Sequence, residues 1–186
     1  MANMTSMKEA VAIIPIGSVG RPFCQYLGSA VARILECEID ILTALGQPQY
    51  AYNPERDQYH SNAIVRRVGQ AINRKKHLLG VGVVDVDLFL PDLNFVFGQA
   101  DRHERAVVVS LARLLPSYHG QTDDSDTTMS RAVAETLHEI GHIFGLPHCQ
   151  HDTCAMFFSN TLSDTDRKRA RYCDTCRTRL AKGIPD

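Results

Sequence analysis

The stretch HEIGHIFGLPH, residues 138–148, decides the fold and the chemistry that this sequence can support. His138 and His142 are four residues apart, so on a helix their imidazoles project from the same face. Two imidazoles one turn apart can bind a single tetrahedral Zn²⁺ at about 2.0–2.1 Å. Glu139 follows the first histidine and can reach a metal-bound water without being a ligand. The pattern therefore predicts a metal that acidifies water beside a carboxylate that accepts the proton.

The end of this stretch supplies a third ligand. Gly145 can adopt a left-handed conformation that ends the helix and turns the chain, so that His148 returns toward the other two histidines. Three protein ligands leave a fourth position open for water or substrate, as a catalytic zinc site requires. The alternative is an amphipathic helix with surface histidines, which leaves the matched glycine and third histidine without a purpose.

An apolar stripe predicts the helix that carries the first two histidines, over about residues 128–144. The stripe consists of Val133, Leu137, Ile140 and Phe144. Its helical spacing indicates docking on a sheet. Because Gly145 and Pro147 stop the helix, the position after Phe144 is the best internal boundary in the chain.

Four cysteines follow in a C-x₄-C…C-x₂-C arrangement. They are Cys149, Cys154, Cys173 and Cys176. This spacing predicts a closed, structural zinc site with four thiolate ligands. Two disulfides are the alternative, but no secretion signal favours an oxidising compartment. The remaining pair, Cys24 and Cys37, lies in apolar surroundings and is expected to be part of the core.

The rest of the chain alternates between strand and helix patterns. We expect strands at residues 11–16, 39–45, 78–90, 94–98 and 106–111, and helices at about 22–35 and 61–76. About five strands with helices between the early ones predict an α/β (α+β) fold with a mixed sheet and packed helices. We expect one domain over residues 1–186. A sheet-and-helix subdomain would span 1–145 and include the active-site helix, and a C-terminal subdomain would span 146–186.

Charge and hydropathy exclude several classes of protein. The chain has 20 Lys and Arg against 21 Asp and Glu, so no large field of one sign favours nucleic-acid or membrane-surface binding. No apolar run approaches the roughly 20 residues that span a bilayer, and the apolar N-terminal stretch is broken by Pro15 and lacks a signal-peptide cleavage site. We therefore expect a cytoplasmic protein that contacts neither nucleic acid nor membrane.

One cluster of cations is the exception. It consists of Arg167, Lys168, Arg169, Arg171, Arg177, Arg179 and Lys182. A nucleic-acid patch is one interpretation. Because a four-thiolate zinc carries a net negative charge, a local electrostatic role beside that site is favoured.

The 138–148 stretch with Cys149 directly after it resembles the metzincin metallopeptidase signature in its archaemetzincin form. In that family the third histidine leads into a cysteine, a second cysteine, a methionine two residues later, here Met156, and a C-x₂-C pair. The segments YNPERDQY (52–59) and NFVFGQA (94–100) are also similar to archaemetzincins. The resemblance covers most of the chain.

This resemblance implies a compact metzincin-like zincin fold, with the active-site helix beneath a cleft and Met156 in a Met-turn below the zinc. It implies a zinc-dependent peptidase with Glu139 as general base and two Zn²⁺ per chain, one on the three histidines and one on the four cysteines. A peptide or protein substrate would add as a strand at residues 94–98. Ordinary core packing is the alternative for Met156.

One position departs from the family pattern. Some metzincins have a tyrosine two residues after the turn methionine, whereas this chain has Phe158. Stabilisation of the oxyanion must then come from the zinc or from another donor, for which Tyr172 and His151 are candidates. Two other functions stay open: a metal-containing peptide-binding or scaffolding protein with little turnover, and zinc-ribbon-like nucleic-acid binding by the cysteine module.

Overall fold

The computed structural model describes residues 10–181 of the chain, in nine strands and five α-helices. The strands are β1 (Ala10–Pro15), β2 (Ile39–Ile41), β3 (Tyr52–Asn53), β4 (Gln58–His60), β5 (His77–Val84), β6 (Leu88–Leu90), β7 (Leu93–Val96), β8 (Gly98–Asp101) and β9 (Ala106–Ser110). The helices are α1 (Arg21–Leu35), α2 (Ser61–Ala71), α3 (Ser125–Ile143), α4 (Leu162–Arg167) and α5 (Asp174–Leu180). None of these helices is both long and apolar enough to cross a membrane.

The main sheet has five strands in the order β2-β1-β5-β9-β8. The first four are parallel, and β8 runs antiparallel at one edge, so the predicted mixed sheet is confirmed. Successive residues of β1 point to opposite faces: Val11 packs in the core with α1 and α3, and Ala12 packs in the core with α2. Burial on both faces explains why the central strands read as continuous apolar runs rather than as alternating ones.

A second, four-stranded sheet in the order β3-β4-β6-β7 was not predicted from the sequence. Strands β3 and β4 have two and three residues and form a hairpin. Elements this short carry no periodic signal. The run expected over 78–90 divides into β5 and β6, which belong to different sheets, and the 94–98 strand likewise divides into β7 and β8.

Other element boundaries also differ from the expectations. The helix expected to reach residue 76 ends at Ala71 because Asn73 forms a turn, in which its side-chain oxygen accepts a hydrogen bond from the Lys75 amide at 3.0 Å. The strand expected over 39–45 is regular only to Ile41. The two short C-terminal helices, α4 and α5, were not predicted.

Helix α3 connects the sheet to the C-terminal segment. It packs on β9 and on the edge strand β8, and its apolar residues Leu137 and Ile140 are fully buried. The other side of the helix contacts α4. The C-terminal end of α3 therefore lies between the sheet edge and the cysteine-rich segment.

Candidate metal centre

The last turn of α3 ends as its sequence requires. Gly145 has a φ of 77°, in the left-handed region. The Leu146 amide donates to the Gly141 carbonyl at 2.9 Å and the Gly145 amide to the His142 carbonyl at 3.0 Å, which is a Schellman motif. The motif reverses the chain directly after the helix and returns residues 146–148 toward it.

The three histidines of the motif converge. Their ring nitrogens, one from each residue, lie within 4.8 Å of one another. The Nδ1 atom of His138 is 2.8 Å from the Ala155 carbonyl, and that of His142 is 2.9 Å from the Leu146 carbonyl. Each Nδ1–H therefore donates to a carbonyl, and each Nε2 is left with a free lone pair.

These free nitrogens are spaced for a metal ion. The Nε2 atoms of His138 and His142 are 3.1 Å apart. Ligands of a tetrahedral zinc at about 2.0–2.1 Å are separated by about 3.3–3.4 Å. Two lone pairs this close repel each other unless a cation lies between them, so the donor set fits a zinc ion.

Desolvation favours the neutral form of the three imidazoles. Burial, with a smaller contribution from the nearby Lys168 ammonium, lowers the pKa of His138 to about 2. Burial also lowers the pKa of His142 and of His148. A metal therefore meets little competition from protons.

Glu139 lies beside this cluster in a desolvated position. Its side chain is almost completely buried, and burial, with the nearby Glu135 carboxylate, raises its pKa to about 8. Glu139 and His138 line a cavity of about 270 Å³. Residues 93–98 also line this cavity, as does Phe158, whose ring is 4.6 Å from that of His148.

Met156, which the resemblance assigns to a Met-turn, is fully buried. Its sulfur occupies the space in which a Cβ on Gly141 would lie, so the backbone of α3 contacts the methionine directly. Gly141 stands between the two histidines of the helix. Met156 therefore contacts α3 at a position between His138 and His142.

The four cysteines also converge, and their Sγ atoms lie within 4.8 Å of one another. The sulfurs of Cys149 and Cys173 are 3.8 Å apart, the edge of a tetrahedron with Zn–S of about 2.3 Å and far from the about 2.05 Å of a disulfide. All six cysteines are free thiols. Burial raises the pKa of Cys154 and of Cys176, so a bound cation is needed to hold these thiols ionised.

Backbone hydrogen bonds join the two clusters. The Cys149 amide donates to the Met156 carbonyl at 2.8 Å. Ala155, whose carbonyl orients His138, stands between Cys154 and Met156. Residues 149–156 therefore form a strap that contributes two sulfurs to one cluster and a carbonyl to the other.

The structure does not support one sequence expectation at this site. The Tyr172 hydroxyl donates to the Leu137 carbonyl at 2.6 Å and is buried against α3, so it is not an oxyanion donor. His151, the other candidate, is exposed, and its amide donates to the Cys149 sulfur.

Two groups of residues near the site were missed by sequence reasoning. Glu135 and Lys168 form a buried ion pair, 2.8 Å between Oε1 and Nζ. Arg56 donates to the carbonyls of Leu93 and Asn94, both at 3.0 Å, and so supports the wall of the cavity from behind. Arg56 belongs to the 52–59 segment, whose family resemblance was the only signal for it.

Three of the clustered C-terminal cations have partners within the chain. Arg167 pairs with Asp164, Arg177 pairs with Asp174, and Lys168 is the buried partner of Glu135. Lys182 lies outside the described residues. These pairings account for part of the cluster without a nucleic acid.

Comparisons with known proteins agree with this geometry. Residues 42–182 match the model of peptidase family M54. The chain is 36% identical over 171 residues to an archaemetzincin of Methanocaldococcus jannaschii, covering 91% of this chain and 92% of that one. It is 39% identical over 134 residues to an archaemetzincin of Thermococcus kodakarensis, covering 72% of each.

Solved structures give the same result. A zinc-dependent peptidase from Methanocorpusculum labreanum is similar with a TM-score of 0.82 at 28% identity, over 92% of this chain and 100% of that one. An archaemetzincin from Archaeoglobus fulgidus, solved with malonate, is similar with a TM-score of 0.76 at 32% identity, over 91% and 99% of the two chains.

Proposed function

The chain belongs to peptidase family M54, the archaemetzincins, and is a zinc metallopeptidase, in which we propose that Glu139 is the general base for peptide-bond hydrolysis. The observation that carries the proposal is the convergence of three histidine side chains around the end of α3, one of which, His138, lines a cavity together with the buried Glu139 side chain. His138, His142 and His148 would hold the catalytic zinc. Bound there, zinc supplies Lewis-acid chemistry, lowering the pKa of a water and polarising the substrate carbonyl.

The residues of the chain then have distinct tasks. Glu139 accepts the proton of the attacking water and hands it to the leaving amine. The hydrogen bonds from His138 and His142 to backbone carbonyls hold each ring with Nε2 directed at the shared point. Met156 and Gly145 support this arrangement from below and from the end of the helix.

We propose that substrate lies along residues 93–98 as an added strand. Strand β7 is at the edge of the small sheet, and its residues line the cavity that contains Glu139. Pairing with an edge strand holds a peptide extended through main-chain hydrogen bonds and leaves alternate side chains to fill pockets.

We further propose that Cys149, Cys154, Cys173 and Cys176 hold a second, structural zinc, giving two ions per chain. The closed set of four sulfurs, with no fourth position left open, supports a structural role. Free thiols at this spacing also support a reducing, cytoplasmic location. Residues 1–186 would act as a single domain, in which the 146–186 subdomain completes the site built by 1–145.

The test is a peptide-library cleavage assay on the zinc-loaded protein and on Glu139→Ala. The wild type should cleave, and the variant should retain its fold and its zinc content while losing hydrolysis. Unchanged hydrolysis by Glu139→Ala would remove this residue from the mechanism. A wild type that binds peptides but cleaves none would instead support the scaffolding function.

A further inference from the structure

Glu135 lines the same cavity as Glu139, one helical turn earlier on α3. The cavity walls are mainly apolar, formed by the aromatic residues Phe95, Phe97 and Phe158. Besides His138 and Glu139, its polar lining includes Glu135, Ser159 and Asn160. The cavity thus combines an aromatic wall with a polar end.

The carboxylate of Glu135 is already paired with a cation. Its Oε1 atom is 2.8 Å from the Lys168 ammonium and accepts a hydrogen bond from the Thr165 hydroxyl at 2.9 Å. The side chains of Glu135 and Lys168 are only 3% and 0% exposed. Within residues 10–181 both of these interactions reach Oε1, which leaves Oε2 able to accept a further hydrogen bond.

Ser159 adds a second unsatisfied group. Its hydroxyl oxygen is buried and has no hydrogen-bond partner among the described residues. A buried polar group without a partner is costly, and a ligand that supplies the missing hydrogen bond recovers that cost. The polar end of the cavity therefore offers places for a donor that the chain itself does not fill.

We propose that this cavity receives the side chain of a substrate residue next to the scissile bond and that Glu135 selects tyrosine at that position. The inference rests on the proposed peptidase function, because Glu139 and His138 line the same cavity. A volume of about 270 Å³ suits one aromatic side chain rather than a larger ligand. The phenol would donate to the free oxygen of Glu135.

The paired lysine decides between tyrosine and a basic side chain. A substrate lysine or arginine would have to share the Glu135 carboxylate with Lys168, which places two like charges in a desolvated site. Phenylalanine would contact the aromatic walls but would leave Glu135 without a donor and the Ser159 hydroxyl without a partner. A neutral hydroxyl meets both requirements.

The experiment compares matched peptides that carry tyrosine, phenylalanine or lysine at each position flanking a mapped cleavage site. The wild type should cleave the tyrosine peptide with a kcat/KM on the order of 10- to 100-fold above that of the phenylalanine peptide, the effect of a hydrogen bond to a charged acceptor. In Glu135→Leu/Lys168→Met, which removes both charges together, this ratio should fall to about one.

The control is Asp166→Asn. It weakens the ion pair of Arg131 with Asp166, 2.6 Å, which also joins α3 to the α4 region but lies outside the cavity. This variant should keep the tyrosine-to-phenylalanine ratio of the wild type. Equal loss of the ratio in both variants would assign the effect to loosened packing and overturn the role of Glu135.

A binding measurement separates this inference from the proposed function and does not depend on the double variant folding. Zinc-loaded Glu139→Ala is titrated with labelled tyrosine and phenylalanine peptides, followed by fluorescence anisotropy. Preferential binding of the tyrosine peptide supports the cavity assignment even if the wild type cleaves nothing, which would refute only the peptidase mechanism. Equal binding of the two peptides, or cleavage without a tyrosine preference, overturns the inference.

Discussion

Replacement of Gly141 by alanine tests how the methionine below the site supports the metal ligands. The new Cβ would overlap the Met156 sulfur and would lie 3.1 Å from its methyl carbon and 3.4 Å from Leu146 Cδ1. Met156 is fully buried, so it can move only by displacing its neighbours. Its immediate neighbour in the chain is Ala155, whose carbonyl accepts the hydrogen bond from His138.

Two opposing terms set the effect of Gly141→Ala on stability. Alanine is favoured over glycine within a helix by about 1 kcal/mol. Overpacking a buried site costs about 1–3 kcal/mol. The net loss of unfolding free energy is therefore between about zero and 2 kcal/mol, which for a chain of 186 residues lowers the Tm by no more than about 8 °C.

Metal affinity should change more than stability. Displacement of Ala155 weakens the hydrogen bond that orients the His138 ring, and loss of such a contact lowers metal affinity by about 10–100-fold. The assay is competition for zinc with a chelator of known affinity, alongside thermal unfolding. The control is Met156→Ala in the same background, which makes room for the new Cβ and should recover part of the lost affinity.

The reasoning fails on a specific result. If Gly141→Ala binds zinc as tightly as the wild type and melts at a higher temperature, then only helix propensity has changed. The contact between α3 and Met156 would then have no part in holding the ligands.

Three further variants test other contacts. Cys154→Ser should weaken zinc binding at the histidines as well as at the cysteines, because the strap joins the two clusters. If metal analysis finds that only one ion is lost and activity is unchanged, the two clusters are not coupled through the strap. Lys168→Met should lower the free energy of unfolding, measured in urea, by about 3–5 kcal/mol because it leaves Glu135 buried and unpaired. Arg177→Ala removes an exposed ion pair and should change that free energy by less than about 0.5 kcal/mol. Arg56→Met should raise KM more than it lowers kcat, because it removes the hydrogen bonds to the Leu93 and Asn94 carbonyls in the segment along which substrate would lie. An effect on kcat alone would refute a role of Arg56 in supporting that segment.

The residues that local helix geometry brings together could be predicted from the sequence. His138 and His142 share a helical face, and Gly145 provides the turn that returns His148. Each of these relations spans fewer than about ten residues, so spacing and backbone preference determine them. The spacing of the four cysteines likewise predicted that they group together, and the family resemblance added Met156.

Contacts between distant segments could not be predicted in this way. Glu135 and Lys168 are 33 positions apart, and Arg56 meets the carbonyl of Leu93 across 37 positions. Which charged side chain lies opposite which depends on how the sheets and helices pack, and a sequence pattern records only the element on which each residue lies. The small sheet was missed for the same reason, since its short strands are defined by their partners.

The strap of residues 149–156 explains why two metal clusters lie next to each other in this chain. The third histidine is exposed and follows the helix, in a segment that by itself has many conformations. Holding it in place costs conformational entropy of about 1–2 kcal/mol for each residue ordered. The cysteine cluster, with the hydrogen bond between the Cys149 amide and the Met156 carbonyl, constrains the segment that follows His148. A segment ordered in this way presents His148 and the Ala155 carbonyl together, so less conformational entropy would be lost when a metal ion binds to the three histidines.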